Sequence, residues 1–144
     1  LQTMKKLTSK ILLIIAIITF SNLANAESNY HDNGKNFFDK KNYKKAKFYF
    51  EKDIVFNPKS ENSYLYLAKI FKIEDKNFLE ENNLNTTILL NPKNEEAIYN
   101  LALLNIKKSN FSKSEELIKT FEKVCKTMCP SKKTLQEKLN NSKK

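Results

Sequence analysis

The chain has 144 residues and a formal charge of +10, carried by 26 basic residues that are all lysine, with one histidine, one glycine and two cysteines. So few glycines and histidines exclude a glycine-rich phosphate loop and the paired-histidine metal motifs, and the length suits a single domain. The lysine-only charge, beside abundant asparagine, follows AT-rich coding; phosphate readers rely on the forked guanidinium of arginine, so this charge reads as a solvated face and not as a nucleic-acid site.

The first element is a leader. Met4, Lys5, Lys6 and Lys10 precede an apolar run from Ile11 to Phe20, and Ala24-Asn25-Ala26 supplies the small residues that a signal peptidase accepts. Residues 1–26 are read as a secretory signal peptide with its natural start at Met4 and cleavage after Ala26. The apolar run falls short of the about 20 residues a membrane span requires, so cleavage without stable membrane insertion is expected. No cysteine follows the cleavage site, which argues against a lipoprotein. Loss of Lys5, Lys6 and Lys10, with no acid lost, takes the formal charge from +10 to +7. The expected location is the periplasm.

Beyond the leader the chain repeats. Asn57-Pro58-Lys59-Ser60 returns as Asn91-Pro92-Lys93-Asn94, and Glu61, Tyr64, Leu67 and Ala68 return at the same step as Glu95, Ile98, Leu101 and Ala102. Tyr30 and Gly34 stand one step earlier. Such a period marks a helical repeat array. Ile98, Leu101 and Leu104 follow helical spacing, as do Leu117, Phe121 and Val124, and no stretch alternates with the period of a strand. The predicted units span about 27–60, 61–94 and 95–126. Asn42, Asp75 to Asn77, and Ser109 to Asn110 lie between the helices of a unit. The Asn-Pro turns lie between units, since proline cannot continue a helix and turns its predecessor away from helical geometry. Ser112 with Glu115 offers a capping box for the last repeat helix.

These residues resemble the tetratricopeptide repeat family. Unit one carries its aromatic, small and proline positions as Tyr30, Gly34, Phe37, Tyr43, Ala46, Phe50 and Pro58. Gly34 suits close helix approach. Unit two keeps Tyr64, Leu67, Ala68, Phe71, Leu84 and Pro92 but has Glu80 at a small packing site. Unit three keeps Leu101, Ala102, Phe111, Ile118 and Phe121, with Asn105 at the aromatic site, Ser114 at the small site and Lys126 in place of the closing proline. Decay of this kind is expected of a terminal unit. The resemblance implies an all-α, right-handed superhelical array of about three helix pairs. A capping helix over about Ser131 to Asn140, with Leu135 and Leu139 on one side, would close the stack within residues 127–144.

In that family the concave side is formed mainly by the first helix of each unit. The resemblance therefore points to a groove of His31, Lys35, Phe38, Leu65, Lys69, Lys72, Tyr99, Leu103 and Ile106. Lysines beside large apolar groups suit a peptide or partner helix of acidic character from another envelope protein. With Glu96 and Asn100 on unit three, the groove does not reproduce the two-carboxylate clamp of cytosolic chaperone-binding relatives. The expectation is a non-catalytic adaptor with no cofactor. His31 lacks a catalytic partner in sequence, and the acid pairs Glu80-Glu81 and Glu115-Glu116 read as exposed helix decoration.

The last element is Cys125-Lys126-Thr127-Met128-Cys129-Pro130. In an oxidising compartment two cysteines suggest one disulfide, which a helix ending between them would allow. The alternative is an envelope carrier of thiol redox or Cu(I), using the soft sulfurs of Cys125, Met128 and Cys129.

Overall fold

The structure is a computed structural model that describes residues 29–144. The signal peptide expected over residues 1–26, with its cleavage site, lies outside the described residues. Among the described residues seven helices follow one another: α1 (Tyr30–Asp39), α2 (Tyr43–Phe56), α3 (Glu61–Ile73), α4 (Asn77–Leu90), α5 (Glu95–Lys107), α6 (Phe111–Val124) and α7 (Ser131–Ser142). There is no strand among the described residues. Each odd helix packs most closely on the even helix after it, and each pair then meets the next, so the chain is an all-α array of three helix pairs closed by α7.

The period is written into the backbone as well as into the sequence. Lys41, Asp75 and Ser109, spaced like the Asn-Pro turns, have φ of 58°, 55° and 60°. In unit one Lys41 N–H donates to Phe38 O and Asn42 N–H to Phe37 O; the same pair recurs from Asp75 and Lys76 to Lys72 and Phe71, and from Ser109 and Asn110 to Ile106 and Asn105. This is the Schellman closure of a helix end, which usually carries glycine at the left-handed residue. Here lysine, aspartate and serine accept a conformation that costs an L-residue about 1–2 kcal/mol. Asn42 and Asn94 then start the next helices, their side chains accepting from Lys45 N–H at 3.3 Å and Ala97 N–H at 2.9 Å.

Gly34 shows why unit one lacks a side chain at this place. A Cβ there would sit 2.7 Å from the ring of Phe50, which is fully buried. One and two periods later the pair becomes Ala68 with Leu84 and Ala102 with Ile118, all buried. Volume moves from one partner of the pair to the other along the array.

The core forms two clusters. Ala46, Phe50, Leu67, Ile70 and Phe71 join units one and two, whereas Leu84, Ile98, Leu101, Leu104, Ile118 and Phe121 join units two and three. Leu135 and Leu139 of α7 complete the second cluster. The departures from the repeat pattern are each accommodated. Buried Asn105 donates to Leu101 O at 2.8 Å, and buried Ser114 donates to Ala102 O at 3.1 Å, so neither leaves an unbonded group in the core.

Two local expectations are corrected. Asn110, not Ser112, precedes the last repeat helix, so Ser112 and Glu115 lie inside α6 and form no capping box; Glu115 instead pairs with Lys143. Glu80 is not exposed decoration: it is only 3 % accessible, because its register position faces inward like Ala46 and Ser114.

Candidate functional site

The first helices α1, α3 and α5 carry all nine residues expected of the groove, and the structure sorts them into three groups. At the start of the array, His31 Nδ1 lies 2.9 Å from Ser63 Oγ, and its ring packs against Phe50 and Tyr66. Phe38 meets Tyr66 edge-on at 5.0 Å. Lys35 stands apart, bonded to Asp39 in its own helix, and that contact raises its pKa. Leu65 is buried in the second core cluster and offers little surface.

In the middle, Lys69 bridges units: its ammonium lies 2.6 Å from the Glu96 carboxylate and 4.7 Å from the centre of the Tyr66 ring. Tyr99 is half-buried against Phe121. Lys72 donates to Asn100 Oδ1 at 3.0 Å. These contacts hold cations at fixed places between successive first helices.

At the end of the array, Lys72, Leu103 and Ile106 line one cleft of about 440 Å³ together with Glu80 and Lys107; α7 supplies its far wall through Lys138, Asn141 and Ser142. That volume is in the range of ligand pockets. Lys107 is tied to Asp75 and Asn77, while Lys138 has no ion pair or hydrogen bond among the described residues. Burial pushes the Glu80 carboxyl above its ordinary pKa, Lys72 and Lys107 oppose the rise, and Asp75 adds to it.

A second cleft, more polar, lies beside His31 and includes Asp53, Ser60 and Asn62. Ser63 Oγ donates to buried Asp53 at 2.6 Å. The serine lies between the histidine and the aspartate, whereas a hydrolytic triad needs the histidine in the middle to take the nucleophile's proton.

The cysteine segment is a tied loop. The sulfurs of Cys125 and Cys129 lie at disulfide distance, 2.08 Å, with Cα atoms 5.2 Å apart. Helix α6 ends at Val124, so both cysteines stand outside it and Pro130 precedes α7. Glu95, in the first turn of α5, accepts from Met128 N–H at 2.8 Å and from Thr127 N–H at 3.1 Å. Main-chain N–H groups of Met128, Lys126 and Thr127 hold its carboxyl below the ordinary value. Sulfurs bonded to each other are not thiolate ligands, and Met128 packs against the core.

The roles of Glu80 and Glu95 and the place of Lys138 were missed in sequence. A signal for two of them existed: Glu80 shares the register of Ala46 and Ser114, and Glu95 that of Glu61, which likewise receives a bond from the end of its own unit, Asn91 Nδ2, at 2.9 Å. Also outside the expected groove are Phe48, Val55, Phe78 and Leu89, exposed apolar side chains on the second helices α2 and α4.

No family model matches the chain, and no curated protein does. Among solved structures it is similar to the type III secretion translocator chaperone SycD of Yersinia enterocolitica, with a TM-score of 0.74 over 87% of this chain and 91% of that one, at 13% identity. The likeness is one of fold.

Proposed function

We propose that this chain is a non-catalytic adaptor of the tetratricopeptide-repeat kind that holds a peptide or helix of another protein along its first helices. The observation that carries this reading is the row of anchored cations and rings on α3 and α5, Lys69 with Tyr66 and Glu96, Lys72 with Asn100, and Tyr99, on an array shared in fold with a chaperone. Binding surfaces of this sort combine fixed charges, which steer a partner, with rings that anchor it. The leader 1–26 and the bonded cysteine pair support action in the bacterial envelope after secretion, with Cys125–Cys129 as a structural bridge. The bridge and the packing of half-buried Met128 against the core disfavour the Cu(I) or thiol carrier.

The test is affinity capture from envelope extract with the chain and with a Lys35→Ala, Lys69→Ala, Tyr99→Ala variant. A protein retained by the first and lost by the second is the expected outcome. Equal recovery by both removes the groove from the reading.

A further inference from the structure

The second helices of units one and two carry apolar surface that unit three lacks. Every large hydrophobic side chain exposed among the described residues lies between Phe48 and Leu89. Val55 and Leu89 hold one position of the repeat and are 73% and 80% accessible; one period later the same position is exposed Lys123. Phe78, also exposed, becomes Ser112 in the same way. A repeat that accepts lysine and serine at these positions does not need leucine and phenylalanine there for its own packing, and clustered apolar exposure of this kind marks a contact surface.

The charge beside it is of one sign. Lys44, Phe48, Lys52 and Val55 follow i, i+4, i+8 and i+11, a single stripe along α2, with Lys45 and Phe56 at its flank. Lys44, Lys45 and Lys52 meet no carboxylate at ion-pair distance among the described residues. Lys52 instead lies 4.4 Å from the centre of the Tyr30 ring, and Lys45 5.2 Å from that of Phe37. Glu51 is the single exposed acid of α2. On α4 the same stripe reads Phe78, Asn82, Thr86 and Leu89, without charge, and Thr86 turns its hydroxyl onto Asn82 O at 2.9 Å. Unpaired cations beside protruding rings and aliphatic tips match a surface that is anionic outside and apolar beneath, which is the layering of a lipid bilayer. A protein partner would have to take these side chains into pockets of its own, whereas a bilayer yields around them. No described helix is long and apolar enough to cross a membrane, so the contact is peripheral.

We propose that the outward face of α2 and α4 is a docking surface for an anionic lipid bilayer: Phe48, Val55, Phe78 and Leu89 enter the headgroup region, and Lys44, Lys45 and Lys52 meet lipid phosphates. Long lysine stems keep the ammonium groups at the level of the phosphates while the apolar tips go deeper. The inference stands apart from the adaptor reading, since it uses none of the groove residues. Those lie on the first helices, so a partner held there leaves the second helices free to face the membrane.

Residues 27–144, which contain all the described helices and both core clusters, are mixed with sucrose-loaded vesicles of phosphatidylcholine, alone or with phosphatidylglycerol, and the bound fraction is read by sedimentation. Binding is expected to the phosphatidylglycerol vesicles and should weaken as salt is added. Val55→Asn with Leu89→Asn should weaken it about tenfold or more, the loss of two apolar side chains from the contact. Lys44→Gln, Lys45→Gln and Lys52→Gln together should weaken it about a hundredfold, the effect of three lysines near an anionic surface. Both variants should keep the parent melting temperature, because none of the side chains changed is buried. Lys69→Ala with Tyr99→Ala, in the groove, should bind vesicles as the parent does. Absence of binding, or equal binding to phosphatidylcholine alone, overturns the proposal. Indifference to the Val55 and Leu89 substitutions overturns it too, by reducing the contact to diffuse charge. A dimer or a captured protein that those two substitutions abolish, without vesicle binding, makes the face a protein interface and overturns the lipid assignment.

Discussion

At the scale of single residues, the exchange of volume between Gly34 and Phe50 makes the sharpest claim. Gly34→Ala forces a Cβ into a ring 2.7 Å away; overpacking costs about 1–3 kcal/mol, offset by up to about 1 kcal/mol of helix propensity. A net loss of about 1–2 kcal/mol is expected. Phe50→Leu in the same chain recreates the Ala68–Leu84 pair, so the double variant should be more stable than the sum of the two single losses predicts, by about 1 kcal/mol in urea denaturation. Strict additivity would mean that the ring does not dictate the glycine. This pair was legible from sequence, since the lone glycine sits at a small position of the repeat. Glu80 was less so. Two adjacent acids suggest a wet surface, and only the register shared with Ala46 and Ser114 reports that the first of them turns inward while Glu81 reaches Lys108.

Among the elements, the loop between α6 and α7 is held by Glu95 and by the cysteine pair together. Because main-chain N–H groups keep the Glu95 carboxyl below 4.5, its stabilisation is complete above that ordinary value and is lost as pH falls through the lower folded-state value. Glu95→Gln should therefore lower the melting temperature near neutral pH, and the gap to the parent chain should close as the pH drops below 4.5. Glu80 has the opposite sign. Its folded-state pKa is raised, so ionisation burdens the fold at higher pH, and the gain in stability from Glu80→Ala should vanish in acid. A melting-temperature gap for Glu95→Gln that is unchanged from pH 7 to pH 3 would remove the clamp from the account. The helices themselves were legible, down to the breaks at Asn42, Asp75 and Ser109, because turn residues and apolar spacing are local signals. The clamp was legible only through the register that Glu95 shares with Glu61, because nothing local pairs Glu95 with a loop about one repeat further along the chain.

For the whole molecule, two core clusters of unequal size imply unequal stability along the array. Repeat arrays open from their weaker units, since each contacts only its neighbours. Hydrogen exchange should find the slowest amides in α5 and α6, which are packed against α4 on one side and α7 on the other, and faster exchange by local opening in α1. Uniform protection would instead mark one cooperative block. Overall architecture was readable from the period of the chain, but the cleft that α7 completes was not, because a capping helix reveals its buried leucines in sequence and hides which side chains face back toward the groove. The two leucines carry one more consequence. The end of a helical stack is a socket that fits the beginning of another, and such head-to-tail contacts do not close on themselves; they grow into filaments. Leu135 and Leu139 of α7 fill that socket from within the same chain, which removes the apolar surface on which head-to-tail growth of this kind would start.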